Sequence, residues 1–138
     1  MRAPYVDQYG VLNIEDKFPE EEPTVQEQPS GEVRTTSATG GMKGVKPERM
    51  DLIPPDFLLM LSRVFAAGAE KYEDHNYLKG FEWSKSYAAM QRHVLAFWGG
   101  EDIDPETGQP HLGCAAFHCA ALFMFSEHGL GTDDRHEL

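Results

Sequence analysis

Residues 99–112, GGEDIDPETGQPHL, constrain the fold more than any other stretch of the chain. Gly99 and Gly100 end one apolar helical segment, and Pro105 keeps the helix from running on towards the next. The chain must therefore run helix, loop, helix. Glu101, Asp102, Asp104 and Glu106 fall within six positions of that loop, with no lysine or arginine among them. Like charges packed this closely repel, and a cation would relieve the strain.

The flanking segments read as helices. KSYAAMQRHVLAFW (85–98) follows Ser84, a suitable N-cap, and HLGCAAFHCAALFMFSEHGL (111–130) closes at Gly129. Earlier, PPDFLLMLSRVFAAGAEKYE opens on prolines and Asp56 and sets Leu58, Leu61, Val64, Phe65 and Gly68 along an inward stripe. No strand signal stands out. The expected fold is all-α: a small helical bundle of about three main helices, with a metal-binding loop between the last two. Residues 1–37 hold eight acids, three bases and four prolines without a sustained period, which predicts a flexible, irregular acidic N-terminal extension. Residues 38–138 form the domain proper.

The formal net charge of −11 excludes a duplex nucleic-acid binder, which needs a basic face, but leaves a nucleotide substrate open if a divalent metal supplies charge locally. No run is long enough to cross a bilayer and no apolar signal core opens the sequence, so neither membrane nor secretory route is expected. The terminal RHEL resembles a retrieval signal but carries no weight without an entry signal. Cys114 and Cys119, five apart on a helix, diverge by roughly 140° and should not pair, which suits a reducing compartment.

Several ligand sets can be drawn from the loop and its helices. A calcium loop of EF-hand type fails, because position 6 from Asp102 is Thr107 and position 12 is Gly113. If the last two helices are antiparallel neighbours, His93 and His118 lie at similar depths below the loop and can approach each other. His111 then sits nearer the mouth. A zinc set of His111, Cys114 and His118, completed by Glu101 or His93, is possible, but four acids suit the harder Mg²⁺ or Mn²⁺ better. Glu70 and Glu73, followed by Glu101 and Asp104, also give an E-x-x-E … E-x-x-D pattern, the arrangement with which MazG-type nucleotide pyrophosphohydrolases hold Mg²⁺. Near residue 40, TGGMKGVKPERMDLIP combines glycines with Lys43, Lys46 and Arg49 and could line a phosphate site, although it lacks P-loop spacing.

A more specific likeness covers residues 36–135. TGGMKGVKPERMDLIP, GAEKYEDHNYLKGFEWSKSYAAMQRHVLAFWGGEDIDPETGQPHL, FHCAAL and the late DDR together resemble a phage family of dATP/dGTP diphosphohydrolases (N-terminal domain), regarded as MazG-like. The resemblance implies that residues 38–138 are a MazG-like nucleotide-hydrolase domain. It places Lys43, Lys46 and Arg49 near phosphates, and His93, Glu101, Asp104 and His111 in the metal or catalytic centre. Tyr77 stands where such proteins commonly carry tryptophan, and the positions of Glu70 and Glu73 vary among members.

The implied reaction is metal-assisted hydrolysis of a purine deoxynucleoside triphosphate to monophosphate and pyrophosphate, in phage control of the nucleotide pool in the cytoplasm of the infected host cell. Glu101, Asp102, Asp104 and His111 would hold Mg²⁺ or Mn²⁺. His93, Glu101 and Lys43 would be catalytic, with His93 or a free carboxylate the general base, and Tyr72, Tyr77 or Trp83 would stack on the base. A unit this small covers its apolar faces poorly, so a homo-oligomer is expected. Two other classes remain open: a non-catalytic nucleotide-binding protein, and a virion or interaction protein that uses the acidic extension.

Overall fold

A computed structural model describes residues 31–137 and, ahead of them, the strand residues Tyr5–Val6, Leu12–Asn13 and Val25–Glu27. The flexible extension expected over 1–37 falls largely outside the described residues. The chain divides into two units, Met1–Met50 and Asp51–Leu138.

The first unit holds strands that the sequence did not reveal. β1 (Tyr5–Val6) pairs with β2 (Leu12–Asn13), and β3 (Val25–Glu27), β4 (Val33–Thr36) and β5 (Met42–Val45) form an antiparallel meander. Val33 lies opposite both Glu27 and Val45, and Thr36 opposite Met42. Between β4 and β5 the chain reverses through Ser37–Gly41. Gly40 takes φ +83°, and its N–H donates to the Ser37 carbonyl. Strands of three or four residues are too short to show a two-residue period, and Lys43 and Gly44 in β5 have weak strand preference.

The second unit is the small all-helical bundle that the sequence leads one to expect. α1 (Pro55–Lys71), α2 (Trp83–Trp98) and α3 (His111–His128) are its main helices, with a 3₁₀ turn at Asn76–Lys79. Pro55 starts α1 with its φ already helical and no N–H to leave unsatisfied. At the other end of the unit, α3 stops at Gly129, whose φ of +63° reverses the chain while its N–H bonds the Phe125 carbonyl.

α3 is the central element. It carries no Asp, Glu, Lys or Arg between His111 and Ser126, and Ala121 and Phe125 on it are fully buried. α2 lies against it in antiparallel register: Ser86 meets His118, and His93 meets His111. On another side, α1 comes close at Gly113, where a Cβ would sit 2.3 Å from Met60 Sδ and 2.9 Å from Val64 Cγ2. Leu58, placed inward by the sequence pattern, is exposed. Met60 takes the contact instead, because the face α1 turns to α3 is centred on Val64. Phe65, Tyr77 and Phe117 meet edge to face with centroids 5.0–5.7 Å apart, and Phe81 does the same on Phe125 at 5.1 Å.

The segment after α3 returns to the start of α2. Thr132 N–H donates to the Phe81 carbonyl, and Trp83 N–H donates to the Thr132 carbonyl at 3.0 Å. Gly131, at φ +69°, passes so close to Phe81 that no side chain would fit. Ser84 does not cap α2 with its own hydroxyl. Asp134 does so from fifty residues away, accepting from Ser84 N–H at 2.9 Å and from the Ser84 hydroxyl. Among the described residues, no helix is long and apolar enough to cross a membrane.

Candidate metal centre

The loop after α2 builds the site from its backbone upward. Gly99 N–H closes the helix on the Leu95 carbonyl at 2.9 Å, and Gly100, at φ +97°, turns the chain back. A narrow hairpin-like turn follows. Asp104 N–H donates to the Gln109 carbonyl, Gly108 N–H donates to the Asp104 carbonyl, and Ile103 bridges to Pro110. The Asp102 carbonyl accepts His111 N–H at 2.9 Å and so fixes where α3 begins, while the Asp102 residue is itself exposed.

Of the four loop acids, Asp104 alone is buried. Its carboxylate accepts the Thr107 hydroxyl at 2.7 Å and the Glu106 N–H at 3.2 Å. Burial alone would raise its pKa. These hydrogen bonds, together with the His93 and His111 imidazoles, outweigh that effect and hold it below the usual carboxylate range. The other acids part company. Glu101 reaches His111, Glu106 pairs with Lys71 at 3.3 Å, and Asp102 contributes its carbonyl.

Three imidazoles run down the α2–α3 seam. Glu101 Oε1 lies 2.8 Å from His111 Nε2, and His111 Nδ1 lies 2.8 Å from His93 Nδ1. With both rings neutral, one assignment satisfies both contacts: His93 Nδ1–H donates to His111 Nδ1, and His111 Nε2–H donates to the Glu101 carboxylate. His93 Nε2 is then left as a bare lone pair. Burial lowers the pKa of His93, with Asp104 opposing and the His111 and Arg92 charges adding to it, so the ring is held neutral. His118 stacks on His93 at 5.9 Å and 18°, the approach the helical rise predicts, and its Nδ1 meets the Ser86 hydroxyl at 2.9 Å. Burial, with like charge from His93 and Arg92, pushes the pKa of His118 down to about 4.

His93, Asp104 and Cys114 each offer a donor atom, all within 4.8 Å of one another, which makes a group that could hold a metal ion. The sequence offers Cys114 as a ligand only through the zinc set. Its signal was its place three residues after His111, on the same helical face. Burial raises its pKa, so the free thiol keeps its proton, and the Thr107 hydroxyl lies 3.9 Å away.

The remaining residues of interest sit elsewhere. Glu70 is exposed and Glu73 pairs with Lys79, so neither belongs to the group. Tyr77 lies in the Phe65–Phe117 aromatic cluster. Trp83 donates its indole N–H to the Leu130 carbonyl at 2.9 Å, and the Arg135 guanidinium covers the ring at 4.7 Å. Lys43 lies in β5 opposite Thr35; Lys46 and Arg49 follow it, and all three belong to the first unit.

A family model described as dATP/dGTP diphosphohydrolase, N-terminal, matches residues 37–135. The chain belongs to that family. The matched span contains His93, Asp104 and Cys114, the Glu101–His111 contact and the tail residues that close α2. A curated relative, the dATP/dGTP diphosphohydrolase of Salmonella phage PMBT28, is 33% identical over 98 residues, covering 68% of this chain. The chain spans 33% of that relative's length. No solved structure matches.

Proposed function

We propose that the chain hydrolyses purine deoxynucleoside triphosphates, dATP and dGTP, to monophosphate and pyrophosphate with the help of a bound metal ion. It would act on the nucleotide pool in the cytoplasm of a phage-infected cell. One observation carries this reading: His93, Asp104 and Cys114 converge within a segment that belongs to the dATP/dGTP diphosphohydrolase family. The named relative supports the substrate class.

The donor set fits a metal. An imidazole, a carboxylate and a thiol within 4.8 Å need only small side-chain movements to meet one ion at bond lengths of about 2.0–2.3 Å. The thiol also bears on which ion it is. Four acids suggested Mg²⁺ or Mn²⁺; a thiolate beside an imidazole suits Zn²⁺, or Mn²⁺ before Mg²⁺. Once bound, the ion would polarise a phosphate oxygen and lower the pKa of a coordinated water.

The chain's own groups have separable tasks. Asp104, His93 and Cys114 would hold the ion. His93 is then a ligand in place of the expected general base, since the lone pair that would take a proton is the one donated. Glu101 and His111 act through His93: the carboxylate fixes the His111 tautomer, and His111 fixes the His93 ring. The MazG-like affinity thus rests on helices and acids placed around one centre, with Asp104 central and Glu101 behind it.

A cavity of about 720 Å³ adjoins the centre through His118 and is lined by Phe65, Tyr72, Asn76, Tyr77 and Lys85 among others. Its volume suits a nucleoside. The aromatic walls offer a base a stacking surface, and Tyr77 serves this better than Trp83, whose ring is covered by Arg135. Lys43, Lys46 and Arg49 give the first unit a set of cations suited to phosphate oxygens.

The test is turnover. With Zn²⁺ or Mn²⁺, the purified chain should convert dGTP and dATP to monophosphate and pyrophosphate. Asp104→Asn should abolish this while the circular dichroism spectrum is preserved, and Glu101→Gln should lower it roughly 10–100-fold. Binding without turnover would make the chain a nucleotide-capturing module. Indifference to nucleotide would favour an interaction protein.

A further inference from the structure

Lys71 ends α1 and stands between the two parts of the candidate site. On one side its Nζ lies 5.5 Å from the centre of the Tyr72 ring, and Tyr72, with Phe65, Gly68 and Ala69 before it, walls the cavity of about 720 Å³. On the other side Nζ reaches Glu106 Oε1 on the loop at 3.3 Å, and the Glu106 N–H donates to the Asp104 carboxylate. The ammonium thus bridges the cavity wall and the loop that carries Asp104. A nucleotide with its base in the cavity and its phosphates beside Asp104 has to cross the same gap.

The other lysines do not share this position. Lys85 lines the cavity but pairs with Glu82 at 2.7 Å, one helical turn away, and Lys79 pairs with Glu73. Lys43 and Lys46 belong to the other unit. Among the described residues, Lys71 is the lysine that pairs with the loop. The pair is also a loose one. Its contact is longer than the roughly 2.7–2.9 Å of a close charge-assisted bond, and both side chains are more than half exposed. The hydrogen bond to Glu106 raises the Lys71 pKa, so the ammonium is charged at neutral pH. A carboxylate offers it one negative charge. A triphosphate offers several, on oxygens that three rotatable N–H donors can meet.

We infer that Lys71 receives the substrate's phosphates beside the ion, and that Glu106 occupies it until they arrive. Glu106 is then a competitor of the substrate in place of a ligand of the metal. The inference rests on the hydrolase reading and adds to it a phosphate-binding cation in the same unit as the metal centre. It makes the two partners opposite in effect: loss of the lysine weakens substrate binding, and loss of the carboxylate strengthens it. A brace between α1 and the loop would behave otherwise, because losing either partner would do the same harm.

The full chain loaded with Zn²⁺ or Mn²⁺ tests this through its KM for dGTP, with metal affinity followed by calorimetry as a control. Lys71→Met should raise KM roughly tenfold or more, and Lys71→Arg should restore most of the loss. Glu106→Gln should lower KM roughly two- to fivefold, and that gain should vanish in the Lys71→Met background. Metal affinity should stay unchanged throughout. Inhibition by inorganic tripolyphosphate should weaken in Lys71→Met, whereas inhibition by deoxyguanosine should not. If the wild type binds dGTP without turning it over, the same shifts are read in Kd. Variants that both raise KM would overturn the inference and make the pair a brace. A Lys71→Met chain with unchanged KM, or one equally impaired towards deoxyguanosine, would overturn it too while leaving the hydrolase reading standing. A wild type that neither binds nor hydrolyses nucleotide would overturn both.

Discussion

Replacing Gly113 by alanine sets two effects of opposite sign against each other, and the structure decides between them. In an open helix the change would stabilise by about 1 kcal/mol, because glycine is the poorer helix former. Here the new Cβ would lie 2.3 Å from Met60 Sδ and 2.9 Å from Val64 Cγ2. The methionine sulfur sits near the end of a flexible side chain and can swing aside at little cost. Val64 cannot: it is β-branched, buried and confined to few rotamers. Opening its contact by nearly 1 Å means moving α1 from α3, and overpacking of this kind costs about 1–3 kcal/mol. The net expectation is a loss of up to about 2 kcal/mol, read as a lower urea midpoint with unchanged slope. Gly113 lies between His111 and Cys114, so the displaced backbone should also weaken zinc or manganese binding in calorimetry. Combining the change with Val64→Ala should recover part of the loss, with a coupling of at least about 0.5 kcal/mol. A Gly113→Ala chain that is more stable by about 1 kcal/mol would refute the reasoning, because α1 and α3 would then not be in close contact there.

Two further outcomes follow from the imidazoles and the thiol. His118 has its folded pKa pushed down to about 4, whereas an unfolded chain takes up that proton near pH 6.5. Its contribution is therefore complete above about pH 6.5 and lost as the pH falls towards 4. The full shift corresponds to about 3 kcal/mol, reduced to about 1–2 kcal/mol because the ring is partly open to solvent. His118→Asn should flatten the acid limb of a urea-midpoint profile between those limits; an unchanged limb would count against the assignment. Cobalt tests the donor set directly. If Cys114 is a ligand, the Co²⁺-loaded chain should show a sulfur-to-metal charge-transfer band that Cys114→Ser removes. Because burial keeps the free thiol protonated, apparent affinity should rise with pH. A Co²⁺ complex without that band would return the site to oxygen and nitrogen donors alone.

The helices were legible because their limits are local. Pro55 opens α1 and Gly99–Gly100 close α2, and each signal lies within a residue or two of the boundary it sets. The meeting of His93 with His118 was legible too, because the rise of an α-helix converts sequence distance into depth. Other features depend on partners far along the chain. The N-terminus of α2 is capped by Asp134, and the Trp83 indole is claimed by Leu130 and Arg135, forty-seven and more residues away. No window around Ser84 or Trp83 contains that information. The strands of the first unit failed for another reason: three- and four-residue segments carry too few alternations to rise above composition.

The crowded acids of the loop turn out to solve their repulsion severally. Glu101 faces His111, Glu106 faces Lys71, Asp102 stays in water, and Asp104 alone turns in among hydrogen-bond donors and imidazoles. The acid count therefore overstates how many cations the loop needs; on the proposed reading a single ion at His93, Asp104 and Cys114 would be enough. Its two charges would be cancelled by one carboxylate and one thiolate, leaving a centre close to neutral. Such a centre can polarise a phosphate oxygen but cannot by itself balance a triphosphate. The exposed Lys71–Glu106 pair, at 3.3 Å, becomes informative in that light. An ion pair in water is weak, so an arriving phosphate could take Lys71 from Glu106 at small cost. The freed Glu106 remains at the loop with its charge turned to solvent. The loop's acidity is then compatible with an anionic substrate because most of its carboxylates are held, or can be released, away from the one position where an ion and a phosphate would meet.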